Sequence, residues 1–276
     1  MPEPPPRPLL TPPRVRELLA RHELRPRKAL GQHYLADPNT ARKVARLGGI
    51  EPGETVLEVG PGLGSLTLAL RQAGAAVVAV EADARLLPAL AEVLGDDPLV
   101  RVELADALRV DLAALAPEAR RLVANLPYNI AATLVLKVLA EAPAITHQVV
   151  MVQREVGERL AAAPGSPAYG APSAKLAAQA TARVLSPVSR HVFVPEPHVD
   201  SVLLGVARRQ HPAMAGLDPA QLSRVIDAAV GQRRKTLRNA LRGLGLDAAG
   251  VDLGLRAERL DVAAFAALAH QVKGPL

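Results

Sequence analysis

Hydrophobic and polar positions follow two alternating patterns between residues 55 and 152. Short runs that are almost entirely apolar predict strands at 55–59, 76–80, 100–104, 122–125 and 148–152. Longer segments between them carry apolar residues on one helical face, at 63–73, at 84–94, near Leu112 and at 130–140. Apolar strands that alternate with amphipathic helices are typical of a parallel sheet covered by helices on both faces. The pattern therefore predicts an α/β fold.

The patterning changes on both sides of this region. Residues 1–13 are rich in proline and predict an extended arm, followed by a short helix at about 14–24. Beyond residue 152, two helices precede strand candidates near 183–185 and 202–207, which could pair as an antiparallel edge of the sheet. From residue 218 onward only helical patterns remain, at about 219–230, 235–243, 247–253 and 262–271. We predict an arm with an N-terminal helix at 1–24, a main domain at 25–207 and a small all-helical domain at 217–276.

Composition narrows the chemistry and the partners. The chain of 276 residues contains no Cys, which excludes thiol catalysis, disulfide bonds and cysteine-based zinc sites and fits a reducing cytoplasm. The seven His are scattered, so we expect no metal site. The net charge of +6 favours a polyanionic partner, although an Arg-rich genome gives the same excess. No apolar run reaches 18 residues and no apolar signal core is present, so we expect a cytoplasmic protein without a transmembrane helix.

A glycine-rich turn follows the first predicted strand. Gly60, Gly62 and Gly64 form a G-x-G-x-G sequence, in which glycine permits a tight turn and a close approach of a ligand to the backbone. This spacing differs from the G-x-G-x-x-G of dinucleotide-binding proteins. Glu58 precedes the turn, where a carboxylate would repel a pyrophosphate but tolerate the ammonium group of S-adenosylmethionine. An ordinary strand-to-helix turn is the alternative interpretation.

Acidic side chains follow the next two strands. Glu81 ends the second strand, where a Rossmann-like fold places the carboxylate that accepts both ribose hydroxyls of a nucleotide. Asp106 follows the third strand, and Asp106 with Ala107 could bind an adenine amine. A solvated strand-end acid and a helix N-cap are the respective alternatives. Because the carboxyl ends of parallel strands meet at one edge, these positions predict a nucleoside site better together than singly.

The fourth strand ends in Asn125-Leu126-Pro127-Tyr128. The exocyclic amine of adenine is a poor nucleophile, because its lone pair is delocalised into the ring. An enzyme that alkylates this amine needs hydrogen-bond acceptors for it and a flat surface for the base. Asn125 Oδ1 and the Leu126 carbonyl can be the acceptors, and Tyr128 can stack on the base, while Pro127 stiffens the turn. The alternative is a strand-ending turn with a core tyrosine.

The ordered set of motifs closely resembles the ribosomal RNA adenine dimethyltransferase family over about residues 25 to 270. The motifs are 28–35 (KALGQHYL), 58–64 (EVGPGLG), Glu81, 106–107 (DA), 125–130 (NLPYNI), 153–156 (QREV), 169–170 (YG), 193–201 (FVPEPHVDS) and 232–239 (QRRKTLRN). The sequence departs from the usual family pattern at three positions. It has His33, Tyr34 and Val230 where Asn, Phe and Phe are common.

This resemblance implies a Rossmann-like class I S-adenosylmethionine-dependent methyltransferase sheet of seven strands with a small all-helical C-terminal domain. The implied cofactor is S-adenosylmethionine, bound by Gln32, His33, Leu35, Glu58, Gly60, Gly62, Glu81, Ala82, Asp106, Ala107 and Asn125. The implied catalytic residues are Asn125, Leu126, Pro127, Tyr128 and Phe193, with the base held between Tyr128 and Phe193. The implied reaction is N6,N6-dimethylation of two adjacent adenosines in a hairpin loop near the 3′ end of small-subunit (16S) rRNA.

The resemblance also implies a partner, the rRNA of an immature small ribosomal subunit, and we expect a monomer. The basic residues expected to contact RNA are Arg25, Arg27, Lys28, Arg233, Arg234, Lys235 and Arg238. One alternative is a large-subunit rRNA adenine methyltransferase of the antibiotic-resistance type. Others are a non-catalytic RNA-binding assembly or transcription factor on the same scaffold and, more distantly, a nicotinamide-dependent dehydrogenase. The Asn-Leu-Pro-Tyr form and the Arg-rich C-terminal segment favour the small-subunit enzyme.

Overall fold

A computed structural model describes residues 7–27, 30–210, 216–232, 235–242 and 251–271. The described residues divide into two compact units. The first unit lies within Met1–Gly157 and Val184–Val206, and the second within Glu158–Arg183 and Ala207–Leu276. The second unit thus includes residues 158–183, which the sequence places inside the main domain. The functional division of the chain into three parts stays a prediction.

The first unit contains the alternating strands and helices. Its elements are α1 (Pro12–Arg21), β1 (Tyr34–Leu35), α2 (Pro38–Leu47), β2 (Thr55–Val59), α3 (Ser65–Gln72), β3 (Ala76–Glu81), α4 (Leu87–Leu94), β4 (Val100–Leu104), α5 (Leu112–Leu115), β5 (Arg121–Asn125), α6 (Ala131–Glu141), β6 (His147–Gln153) and β8 (Phe193–Val194). Three elements continue from one unit into the other: α7 (Arg154–Leu160), β7 (Ala180–Val188) and β9 (Ser201–Arg208). The second unit adds α8 (Ala171–Gln179), α9 (Pro219–Gly231), α10 (Leu237–Ala240) and α11 (Val262–Ala269).

Seven strands form one sheet in the order β4-β3-β2-β5-β6-β9-β7. β2 pairs in parallel with β3 on one side and with β5 on the other, and the β3–β4 and β5–β6 pairs are also parallel. The central strands are buried on both faces; in β3, the five residues after Ala76 are all buried. Continuous apolar strands are what a sheet covered on both sides requires. The expected seven-stranded α/β fold is confirmed.

The N-terminal arm, which the sequence predicts to be extended or disordered, packs against the first unit over part of its described residues. The helix α1 begins at Pro12, because proline fits the first helical turn, where no intrahelical N–H bond is made. Before it, Leu9 and Leu10 are buried, and within it Val15 and Leu18 are fully buried in the core of the first unit. Hydrophobic burial therefore fixes the segment from residue 9 onward onto the sheet-containing unit.

Ion pairs add to this attachment of α1. Glu92 of α4 accepts hydrogen bonds from Arg14 Nη2 at 2.7 Å and from Arg21 Nη1 at 2.6 Å, and His22 Nε2 lies 2.8 Å from its other carboxylate oxygen. These contacts lower the pKa of Glu92, with the hydrogen bond to His22 as the largest contribution. Such pairs are partly exposed and contribute less than the buried apolar residues.

A two-stranded ribbon near the expected site was missed from the sequence. β1 and β8 pair antiparallel, with Tyr34 opposite Val194 and Leu35 opposite Phe193. The sequence predicts a basic loop at 25–33, just before β1, and a Pro-rich turn at 193–199, where β8 lies. Strands of two residues are too short to produce an alternating hydrophobic pattern, so periodicity could not reveal them.

The second unit has its own apolar core, as the helical patterns predict. Its buried residues include Tyr169, Leu222, Ile226 and Phe265, and Tyr169 donates from its hydroxyl to the Leu260 carbonyl at 2.9 Å. This core joins residues from 169–178 with those of the C-terminal helices.

Two C-terminal helix predictions need correction. A predicted helix at 235–243 is reduced to the four residues of α10, and the described part of a predicted helix at 247–253 is not helical. The reason is a competing backbone pairing. Leu237 and Arg238 donate their N–H groups to the carbonyls of Leu255 and Leu253, at 2.9 and 3.1 Å, so residues 253–255 pair with the start of α10.

The burial of α1 leads to a stability prediction. Leu18→Ala removes a fully buried side chain and should lower the free energy of unfolding by about 2–5 kcal/mol. Urea unfolding should show a lower midpoint at an unchanged m-value. Arg16→Ala, at an exposed position of the same helix, is the control. Equal stability of the two variants would show that α1 does not contribute to the core.

Candidate functional site

The polar residues singled out in the sequence meet at the carboxyl edge of the parallel strands. They line one pocket with about 250 Å³ of internal space. The lining includes every residue expected to bind the cofactor: Gln32, His33, Leu35, Glu58, Gly60, Gly62, Glu81, Ala82, Asp106, Ala107 and Asn125. Leu126, Pro127 and Tyr128 line the same pocket. The expected catalytic residue that does not line it is Phe193.

The strand-end residues are held by the sheet itself. The N–H of Gly60 donates to Val80, that of Ala105 to Glu81 and that of Leu126 to Met151, at 2.9, 2.9 and 3.1 Å. Each bond extends the backbone hydrogen bonding between paired strands by one residue beyond the end of β2, β4 or β5. The backbone therefore enters the pocket in a fixed position before it turns into a loop.

Glycine is required at two positions of the turn after β2. Gly60 and Gly62 have φ values of +72° and +58°, which side chains rarely adopt. A Cβ on Gly60 would lie 3.4 Å from Pro127 Cδ, and a Cβ on Gly62 would lie 3.0 Å from Tyr34 Cδ1. The glycines thus bring the turn against β1 and against residues 125–128, which are called the acceptor motif below.

Glu58 is a fully buried carboxyl group beneath this turn. It accepts a hydrogen bond from Thr67 Oγ1 at 2.7 Å and is 1% exposed. Burial raises its pKa to about 8, against the lowering effect of Thr67. An anion here would be unfavourable without a nearby cation, so the position suits a ligand with a positive group.

Glu81 turns its carboxylate towards the glycine turn. Its two oxygens accept from the N–H groups of Gly62 and Asp83, at 3.1 and 2.9 Å. Burial raises its pKa, and these two amides partly offset the effect. A carboxylate oxygen accepts more than one hydrogen bond, so Glu81 retains capacity for ligand hydroxyls.

Asp83 does not line the pocket but holds Gln32, which does, and it was missed from the sequence. It is 4% exposed, and it accepts from Gln32 Nε2 at 2.9 Å and from Arg85 Nε at 2.9 Å. The bonds to Arg85 lower its pKa to about 2. Asp83 therefore ties the segment around Gln32 to the end of β3. Its position two residues beyond the strand-end acid was the available signal.

Asp106 also has a local role. Its Oδ1 accepts from the N–H of Leu108 at 2.9 Å, and the residue is exposed, whereas Ala107 is buried in the pocket wall. The alternative of a helix N-cap is wrong, because a turn and not a helix follows Asp106. The contact with adenine stays a prediction.

The acceptor motif is anchored by polar contacts. Asn125 Nδ2 donates to the His33 carbonyl at 3.2 Å, which leaves Oδ1 as the free acceptor of the amide. The Tyr128 hydroxyl lies 3.0 Å from Ser201 Oγ, and its ring stacks on His33 with centroids 5.3 Å apart and planes at 30°. One face of Tyr128 is thereby covered.

His33 connects the acceptor motif with the loop after β8. Besides its contacts with Asn125 and Tyr128, its Nδ1 lies 2.8 Å from the Pro195 carbonyl and so carries the proton of this hydrogen bond. Phe193, in β8, is 3% exposed and packs in the core of the first unit. Phe193 does not line the pocket, and its stacking role stays a prediction.

The residues expected to bind RNA are described in part. Arg25, Arg27, Lys235 and Arg238 are exposed. Lys28, Arg233 and Arg234 lie outside the described residues. Within the described ranges, no group of three or more His and acidic side chains is placed to hold a metal ion, and no helix has the length and apolar character needed to cross a membrane.

Sequence comparisons identify close relatives. Residues 23–269 match the family model "Ribosomal RNA adenine dimethylase". The chain is 46% identical to ribosomal RNA small subunit methyltransferase A of Thermobifida fusca, over 95% of this chain and 96% of the relative. It is 44% identical to the protein of the same name from Magnetococcus marinus, over 93% and 95%.

Structural comparisons give the same architecture. A dimethyladenosine transferase from Plasmodium falciparum superposes with a TM-score of 0.73 at 21% identity, covering 86% of this chain and 96% of the other, which shows a shared fold. The 23S rRNA methyltransferase ErmE superposes with a TM-score of 0.64 at 25% identity, covering 87% and 100%.

The pKa of Glu58 gives a pH prediction. Its pKa rises from 4.5 to about 8 on folding, so the unfolded chain loses this proton first and stability falls as pH rises between these values. In Glu58→Gln this contribution is absent. The wild type should therefore lose stability relative to the variant between pH 4.5 and 8, with no further relative change above.

Urea unfolding across this pH range measures the difference, with Glu51→Gln, at an exposed position, as the control. Parallel curves for the wild type and Glu58→Gln would contradict a raised pKa.

Proposed function

This chain belongs to the ribosomal RNA adenine dimethylase family, and we propose that it dimethylates N6 of two adjacent adenosines near the 3′ end of small-subunit rRNA with S-adenosylmethionine. One observation carries the proposal. The strand-end acid Glu81 and the acceptor motif of Asn125 to Tyr128 line the same pocket. A nucleoside cofactor and a target base can therefore meet there.

The pocket fits S-adenosylmethionine at several points. The backbone at Gly60 and Gly62 offers a surface without side chains, and Glu81 offers a buried carboxylate for two ribose hydroxyls. Glu58 lies close enough to the pocket to favour the cofactor's ammonium group, whose charge would also lower the raised pKa. Asp106 and Ala107 would contact the adenine. When bound, the cofactor supplies an electrophilic methyl group on a sulfonium.

The acceptor motif performs the remaining tasks. Asn125 Oδ1 and the Leu126 carbonyl accept the two N–H groups of the target amine, which orients its nitrogen towards the methyl donor. Tyr128 supports the base by stacking. Positioning of this kind contributes roughly 7–11 kcal/mol to lowering a barrier. No strong base is needed, because the amine proton leaves after the methyl group has been transferred.

The target base must first leave its stack, which costs a few kcal/mol and is easiest in a loop. We expect Arg25, Arg27, Lys28, Arg233, Arg234, Lys235 and Arg238 to hold the rRNA by its phosphates. The likeness to small-subunit relatives over nearly the whole chain supports small-subunit rRNA as the substrate. We also propose that the protein acts as a monomer in the cytoplasm.

The structural likeness to ErmE keeps a large-subunit substrate as the second candidate. One experiment separates the candidates. The protein is incubated with methyl-labelled S-adenosylmethionine and unmethylated small or large ribosomal particles, and the label is mapped on the rRNA. We expect N6,N6-dimethyladenosine at two adjacent positions near the 3′ end of small-subunit rRNA. Label in large-subunit rRNA would favour the second candidate, and absence of label would favour a non-catalytic role.

A substitution at Asn125 separates chemistry from binding. Asn125→Ala removes an acceptor for the target amine but little of the RNA contact surface. We expect single-turnover methylation to fall roughly 100-fold, as when one preorganised polar group is removed from an active site. RNA affinity should be unchanged. Asn39→Ala, at an exposed position on α2, is the control; near-normal methylation by Asn125→Ala would contradict the mechanism.

The basic segment of the second unit is expected to bind phosphate. Replacing Lys235 and Arg238 by Gln should weaken RNA binding and reduce the salt dependence, by roughly 0.7–0.9 in slope for each lost contact. The control is the same exchange at Arg16 and Arg101, which are exposed and outside the expected RNA-binding set. An equal slope for both double variants would mean that Lys235 and Arg238 form a solvated surface.

A further inference from the structure

Ser201 is a fully buried residue of the first unit to which the proposed reaction assigns no task. It is the last residue of the motif at 193–201 and the first residue of β9. Ser201 is 0% exposed, and its Oγ lies 3.0 Å from the hydroxyl of Tyr128. Either hydroxyl can donate, and the distance is that of a hydrogen bond. A buried hydroxyl needs a partner, and Tyr128 provides it.

The backbone just before Ser201 is held by residues of two other segments. The N–H of Arg154, which directly follows β6, donates to the Asp200 carbonyl at 3.1 Å. The N–H of Arg190 donates to Asp200 Oδ1, also at 3.1 Å. The first bond places the start of β9 beside the end of β6, at the edge of the sheet where the pocket lies. Ser201 is therefore a fixed point from which a hydroxyl group reaches Tyr128.

Tyr128 is held by two contacts of different kinds. The residue is half-buried and lines the pocket, and its ring stacks on His33 with the centroids 5.3 Å apart. Stacking fixes the plane of the ring, whereas the hydrogen bond to Ser201 fixes the direction in which the ring points within that plane. A base that stacks on Tyr128 without displacing His33 uses the opposite face. The orientation of the ring therefore decides where the base lies.

We propose that Ser201 is a positioning residue that, through the Tyr128 hydroxyl, holds the Tyr128 ring in the orientation on which the target adenine stacks. The inference rests on the proposed function, which assigns the stacking surface to Tyr128. Ser201 itself does not line the pocket, so it acts through Tyr128 and not on the substrate. Without the Ser201 hydroxyl, the ring would keep its contact with His33 but lose its fixed direction. The target amine would then be aligned less often with the methyl donor.

The test is Ser201→Ala, assayed by single-turnover methylation of unmethylated small ribosomal particles with labelled S-adenosylmethionine. We expect the rate at saturating particle concentration to fall about three- to tenfold, the effect of one neutral hydrogen bond. The half-saturating particle concentration should stay within about twofold of the wild-type value, because phosphate contacts supply most of the RNA affinity. The Kd for S-adenosylhomocysteine, measured by calorimetric titration, should equal that of the wild type.

Ser173→Ala is the matched control. Ser173 is also buried, at 1% exposed, and its hydroxyl donates to the Arg159 carbonyl within the second unit. Both substitutions remove a buried hydrogen bond and should lower the melting temperature by similar amounts. Ser173→Ala should leave the methylation rate unchanged. A loss of rate confined to Ser201→Ala is therefore not a consequence of lower stability.

A double-mutant cycle with Tyr128→Phe shows whether Ser201 acts through the Tyr128 hydroxyl. Tyr128→Phe keeps the ring and removes the hydroxyl, so Ser201→Ala should cause no further loss of rate in that background. Additive losses would overturn the inference, as would a normal rate for Ser201→Ala or a raised Kd for S-adenosylhomocysteine. These results would leave the proposed function standing, since the wild type would methylate the particles. Absence of methylation by the wild type would refute the proposed function and the inference with it.

Discussion

The parallel register of five adjacent strands is the constraint on which the site depends. β2 pairs with β3 and with β5 in the same direction, and β4 and β6 continue the arrangement. All of these strands therefore end at one edge, where the backbone leaves the buried sheet and polar side chains become tolerable. The ladder bonds made by Gly60, Ala105 and Leu126 extend this order one residue into the pocket. The sheet therefore fixes the positions of the strand-end residues of the site.

The other wall of the pocket comes from a segment with little regular structure. Residues 30–35 are held by separate polar bonds: Gln32 to Asp83, the His33 carbonyl to Asn125, and the Leu35 carbonyl to Ser65. The three bonds reach the turn after β3, the end of β5 and the start of α3, so the segment connects the expected ribose site at Glu81 with the acceptor motif.

The parts that could be predicted from the sequence share a local origin. A strand such as Val77–Val80 must be apolar if it is buried on both faces, so β3 is recognisable from its residue types. Glycine is strongly favoured where φ is positive, so the turn at Gly62 is recognisable in the same way. Contacts between distant segments do not restrict the residue types of either segment in this way. The pairing of β1 with β8, the bond from Gln32 to Asp83 and the cover of Tyr128 by His33 depend on tertiary packing. The burial of Phe193 belongs to the same class.

The pocket concentrates groups whose polar requirements the chain itself does not meet. Glu58 is buried with a raised pKa, Asn125 keeps an amide oxygen available, and the Tyr34 hydroxyl has no partner in the described part of the chain. Buried polar groups are favourable only when paired, so an ionised Glu58 and the Tyr34 hydroxyl lower the stability of the folded chain, whereas Asn125 is half-buried. A ligand cation beside Glu58 would recover part of this free energy and stabilise the folded chain by mass action. The apolar core beneath, which extends to α1, must offset the deficit until the ligand binds. The free energy of folding contributed by the core thus allows the pocket to keep polar groups that find their partners only in a ligand.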